Sequence, residues 1–140
     1  MNSDAAYLSA PAVIVHGLGQ ARMVLGLGRP VRLVSAPGAG LYAGCGWWAA
    51  LMALSRAAFP GGWIDLLDCA DAPGAAMAAL RAGVRGVILD GTSPGFPAVS
   101  AAARSAIVLP HRPACLDLAE PGAGRRLAAW LERDINTRLL

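Results

Sequence analysis

The chain contains no lysine; all 12 of its basic residues are arginines. A phosphate loop of the Walker type sets a lysine on the phosphates. The glycine-rich stretch SAPGAG at 35–40 has none to offer. Schiff-base chemistry and pyridoxal phosphate catalysis need a lysine amine, so neither runs here through its usual residue.

Charge is scarce as well. Charged residues make up 15% of the chain, against about 25% in ordinary globular proteins. The net charge is +3, with the arginines scattered and only Arg125 and Arg126 adjacent. Binders of nucleic acid concentrate basic charge on one face among aromatic side chains, so no nucleic-acid partner is expected. Cys45, Cys69 and Cys115 form no CxxC pair, which argues against a zinc ribbon or a redox couple. Widely spaced single cysteines suit a reducing compartment. The longest apolar run, Leu41 to Leu54, falls short of the roughly 20 residues that span a bilayer. The start, MNSDAAYLSAPAVIV, carries an acid and no basic n-region, so no signal peptide and no membrane association are expected and the location is read as cytoplasmic. HExxH and EF-hand patterns are absent. GLGQAR at 17–22 departs from GxGxxG, and Ser35 rather than an acid ends the second strand. No cofactor is assigned and no metal is expected.

What is present is alanine, 30 residues of it, and alternation. A chain of 140 residues fits one domain over 1–140, with residues 1–10 expected as a flexible tail. Short β-type runs fall at 12–15, 31–34, 63–69, within 84–90, at 106–109 and at 115–118. Between them, alanine-rich helical segments are expected over 18–27, 41–59, from Asp71-Pro73 to Gly83, from Ser93-Pro94 to Arg104, and from Pro121 to near Leu139. Asp71 and Ser93 are read as helix caps. The last helix carries Leu127, Leu131, Ile135 and Leu139 every fourth residue, with an Asp134–Arg138 pair off that stripe.

The strands are continuous apolar runs, as strands buried on both faces must be. Five or six βα units therefore predict an α/β fold, a single three-layer αβα sandwich around a mainly parallel five- or six-stranded sheet, flavodoxin-like or Rossmann-like. Half of a (β/α)8 barrel is the competing topology. The stretch AALRAGVRGVILDG at 78–91 resembles the helix-to-strand segments of (β/α)8-barrel enzymes, at the level of fold alone.

In such sheets ligands bind beyond the carboxyl ends of the strands. His16, Ser35, Asp68, Asp90, Thr92 and His111 all follow or close a strand there. His16, Asp68, Asp90 and His111 are the candidate acid–base groups. Ser35, Gly38, Gly40 and Thr92 are the candidate ligand contacts, the Gly38–Gly40 amides meeting an anion at a helix start. For Asp90 the competing reading is a carboxylate that bonds its own Thr92-Ser93 turn.

The helix from Leu41 has no charge as far as Ser55. Its Leu41, Cys45, Trp48, Leu51, Met52 and Ser55 fall near one face, and Tyr42, Trp47, Ala50 and Leu54 on another. Two apolar faces call for a second partner, so a homodimer or higher oligomer is expected through Tyr42–Trp48. Two functions fit: an oligomeric non-catalytic or regulatory module with a small anionic or polyhydroxyl ligand at the strand ends, or a small-molecule enzyme using Asp/His acid–base chemistry at that edge.

Overall fold

The computed structural model describes residues 7–133. Its strands are β1 Ala12–Ile14, β2 Val31–Val34, β3 Trp63–Asp68, β4 Gly86–Ile88, β5 Ile107–Leu109 and β6 Cys115–Asp117. Its helices are α1 Leu18–Leu25, α2 Ala39–Tyr42, α3 Cys45–Ala58, α4 Pro73–Arg81, α5 Phe96–Ala102 and α6 Ala123–Leu131. All six strands pair in parallel in one sheet, in the order β5-β4-β3-β2-β1-β6. This is the expected α/β class, a single fully parallel six-stranded sheet with six helices.

The strand order decides how the layers fill. From β1 to β5 each strand lies beside its predecessor, and right-handed crossovers then put the intervening helices on one face. The packing agrees. The larger core cluster joins Val13, Leu33, Leu67 and Val87 of the strands to Val24 of α1, Trp48 and Met52 of α3, Ala76 of α4, Val99 of α5 and Leu127 of α6. A smaller cluster on the other face holds Ala12, Ile14, Val34, Leu66 and Ile88, packed with Ile107, Leu109 and Cys115. Strand residues alone form it, yet its five central members are buried.

The β5–β6 connection explains how. β5 and β6 stand at opposite edges, joined only by residues 110–114. Five strand spacings in a flat sheet come to about 24 Å. The six steps from Leu109 to Cys115 reach at most about 21 Å, and must also travel back along the strand axis. A flat sheet is therefore impossible. The sheet curls, and residues 110–114 cross its concave face as a thin outer layer.

Several local details differ from the sequence expectation. The single helix over 41–59 is two, because Gly44 adopts φ 87°, which breaks the backbone between α2 and α3. Asp71 and Ser93 do not cap. α4 starts behind Ala72 and α5 behind Gly95, neither with a side-chain cap. Ser93 Oγ instead donates to the Asp71 carbonyl at 3.3 Å, tying the two turns together. In α6, Leu127 and Leu131 are buried as expected, and Trp130 Nε1 donates to the Ala12 carbonyl at 2.9 Å. Ile135, Leu139 and the Asp134–Arg138 pair lie outside the described residues, as does most of the expected 1–10 tail. Ala10 is described: it is buried and its carbonyl accepts Arg32 Nε at 2.7 Å.

One buried charge fastens α3 to the sheet. Asp65 of β3 accepts hydrogen bonds from Arg56 Nη2 at 2.6 Å and from Trp48 Nε1 at 3.3 Å. Arg56 in turn lies 4.2 Å over the Trp63 ring. A buried carboxylate tolerates its loss of water only with such partners. Among the described residues no helix is long and apolar enough to cross a membrane.

Candidate functional site

Parallel strands bring their carboxyl ends to one edge, and residues 110–114 leave β5 across it. The result is a cleft of about 370 Å³, lined by Gly38, Asp68, Ala70, Asp90, His111 and Arg112 with Pro37, Ile88 and Pro110. Four of the eight candidate residues thus share one space: Gly38, Asp68, Asp90 and His111.

Asp68 ends β3 with its side chain on the concave face. Its Oδ2 accepts a hydrogen bond from Arg112 Nη1, and its Oδ1 accepts the Ala70 N–H at 2.8 Å. The Asp68 side chain is only 5% exposed and Arg112 26%, so this ion pair is largely shielded from water. Ser35 lies behind it: its Oγ accepts the Asp68 N–H at 2.9 Å, and its carbonyl accepts Arg112 Nη2 at 3.3 Å. Arg112 therefore ties β2, β3 and the β5–β6 connection into one network. Ser35 is a support beneath the cleft.

Ala70 sits in the left-handed region at φ 52°, which costs a residue with a Cβ about 1–2 kcal/mol. Two bonds hold it there: its N–H to Asp68, and its carbonyl accepting the Asp90 N–H at 2.8 Å. Backbone strain of this kind gathers at working edges of proteins.

Asp90 is exposed. Its Oδ1 accepts both the Thr92 N–H, at 2.9 Å, and Thr92 Oγ1, at 2.8 Å. The backbone bond first and the hydroxyl bond second hold its carboxyl below the usual range, so it is ionised at neutral pH. The turn reading of Asp90 is thus realised, and Thr92 serves as its anchor. Asp90 Oδ2 remains without a partner among the described residues. His111 is exposed at the same cleft, with no hydrogen bond of its own there.

His16 and Gly40 stand apart. His16 Nε2 lies 2.7 Å from Asp117 Oδ1 at the ends of β1 and β6, and the His16 N–H donates to Gln20 Oε1 at 2.8 Å. Partial burial opposes the charge on Asp117, but hydrogen bonds from His16 and from the Ala119 N–H outweigh it and lower its pKa. Gly40, within α2, presses on β3: a Cβ there would come within 3.0 Å of the Asp68 carbonyl and of Cys69 Sγ. Its backbone approach serves packing. Cys69 itself is no nucleophile: burial first, then the neighbouring Asp68 charge, push its thiol up to about 12.

Sequence reasoning passed over Arg112 and the partnership of Asp117. One signal did point to Arg112. A connection between parallel strands that is too short to hold a helix starts at the carboxyl ends and crosses the sheet directly, so a long polar side chain near its start can reach those ends. Among the described residues no three His, Cys, Asp or Glu side chains gather as a metal site. No family model matches the chain, and neither a curated protein nor a solved structure matches it.

Proposed function

We propose that the chain is a small binding module, non-catalytic and dimeric, that holds a polyhydroxyl ligand in the cleft over β2–β5. One observation carries this reading: Asp90 offers an ionised carboxylate with a free oxygen beside the closed Asp68–Arg112 pair. Asp68 and Arg112 cancel each other, so the cleft carries the charge of Asp90. That disfavours an anion and suits hydroxyl donors, with His111 as a second contact. The carboxylates support binding over chemistry, because each is already committed to an arginine or a turn. Three unpaired cysteines fit the reducing, cytoplasmic setting.

A second reading, acid–base catalysis, draws on the His16–Asp117 pair, since a carboxylate that orients a histidine is the usual support of a general base.

Thermal shift with a panel of sugars and polyols against phosphate and carboxylate salts tests the first reading. Stabilisation by a polyol, lost in Asp90→Asn and His111→Ala, is the expected result. Stabilisation that survives both substitutions overturns the site. Turnover of a bound polyol that stops in His16→Ala transfers the function to the second reading.

A further inference from the structure

A cleft of about 600 Å³ lies at the opposite edge of the sheet, where β4 and β5 begin. Its floor is apolar, with Met77, Leu80, Val84 and Ala103, and its rim carries Arg81, Arg85 and Arg104. None of these three arginines has an ion pair or side-chain hydrogen bond among the described residues. No acid lines the cleft.

Arginines at helix ends have an ordinary explanation, since cations there complement the helix dipole. That accounts for Arg81 at the end of α4 and for Arg104 just past α5. It does not account for Arg85, which lies beyond the turn at the start of β4. Nor does it balance the charge. Two helix ends supply about half a negative charge each, against three full positive charges, which leaves about +2. The backbone points the same way. α4 and α5 both end with a residue in the left-handed region, Gly83 at φ 88° and Arg104 at φ 56°. Glycine fills the position without strain after α4. After α5 the chain sets an arginine there, at a conformational cost, and so adds a third guanidinium to the rim.

We propose that this cleft binds a small organic polyanion, a phosphate ester or diphosphate whose apolar body rests on Met77, Leu80 and Val84 while the arginines take its charges. Guanidinium groups match phosphate oxygens in pairs, and the volume lies in the range of small-molecule sites. A nucleic-acid strand needs a charged track, whereas these arginines converge on one hollow.

Titration calorimetry of the full chain with inorganic pyrophosphate, ADP, adenosine and an oligothymidylate tests this. Pyrophosphate and ADP are expected to bind, ADP more tightly, and adenosine not at all. Arg85→Ala should weaken ADP about tenfold or more, from the loss of a charge-assisted hydrogen bond. Arg29→Ala, on the turn before β2, should leave binding unchanged. Arg104→Gly separates binding from folding: it should raise the melting temperature while weakening ADP. Parent-like ADP binding in both Arg85→Ala and Arg104→Gly overturns the site. So does the absence of binding to either phosphate, or adenosine binding as tightly as ADP. Equal affinity for pyrophosphate and ADP overturns the role of the apolar floor. Tight, salt-sensitive binding of oligothymidylate without ADP binding overturns the small-molecule reading.

Discussion

His16 Nε2 and Asp117 Oδ1, 2.7 Å apart, join residues 101 positions distant in the chain and link β1 to the edge strand β6. The Asp117 pKa is lowered in the folded state by His16 and the Ala119 N–H, against the opposing effect of partial burial. A lowered carboxylate pKa contributes stability above its unfolded value of 3.8, and that contribution is lost as pH falls through the lower folded value. The chain should therefore lose stability below about pH 4. Asp117→Asn should flatten this acid limb and leave a smaller difference between about pH 6 and about pH 3 in urea midpoints. An unchanged acid limb in the variant would remove Asp117 from the account. Because the pair is partly exposed, its loss near neutral pH should cost no more than about 1 kcal/mol.

Arg112→Ala should hurt more. It leaves the buried Asp68 carboxylate with only the Ala70 N–H. Breaking a fully buried ion pair costs about 3–5 kcal/mol, and the partial exposure of Arg112 reduces that to about 2 kcal/mol. Asp68→Asn in the same chain should recover part of the loss, since no unpaired charge then remains. Chemical denaturation of the two single variants and the double variant measures the coupling. Simple additivity would mean that the ion pair does not act as a unit.

Thiol chemistry offers a separate check. Cys69 is fully buried, and its thiol is pushed up to about 12 by burial and by the charge of Asp68. Burial also raises the Cys115 thiol, against the opposing attraction of Arg112 and Arg32. Under native conditions at neutral pH a thiol reagent should spare Cys69, while in denaturant it should reach all three cysteines. Peptide mass mapping reads this directly, and rapid native labelling of Cys69 would contradict the packing of α2 on β3.

The proposed dimer rests on surface apolar area. Tyr42 is 70% exposed, Leu54 56%, Leu41 54% and Trp47 39%, while Trp48 in the same segment is completely buried. Met23 and Leu27 add exposed apolar side chains near α1, which packs beside α3. Monomers seldom leave so much apolar surface together. Light scattering should give a dimer for the parent chain and a monomer for Leu54→Glu or Tyr42→Asp, with the fold retained by circular dichroism. A monomeric parent would end this proposal.

The sheet was legible because buried parallel strands must be apolar throughout, so VRLV and GVILD announce themselves. The two faces of α3 were legible because Trp48 and Trp47 differ by one step of helical rotation, but Leu41, expected on the Trp48 face, is 54% exposed because the break at Gly44 takes it off that face. The site was half legible. Strand ends collect polar residues, and that alone led to Asp68, Asp90 and His111. What escaped depends on distance along the chain. Arg112 meets Asp68 across 44 positions, and no local pattern announces that pairing. Asp71 and Ser93 misled because a polar residue before a proline has the look of a cap, whereas here the backbone turn carries the chain past it. The arginine-rimmed cleft escaped because its members come from two turns about 20 residues apart, α4–β4 and α5–β5.

The placement of β6 beyond β1 also sets an order of events during synthesis. β1 to β5 can pair with their neighbours as each βα unit leaves the ribosome, through contacts close in sequence. The outer edge of Ala12–Ile14 waits for Cys115–Asp117, its partner in register. Contacts of such long separation form slowly, because a large loop must close first. Until then the nascent chain shows an open apolar strand edge, the kind that invites pairing with other chains. Folding yield should thus depend on how soon the last quarter of the chain follows the first.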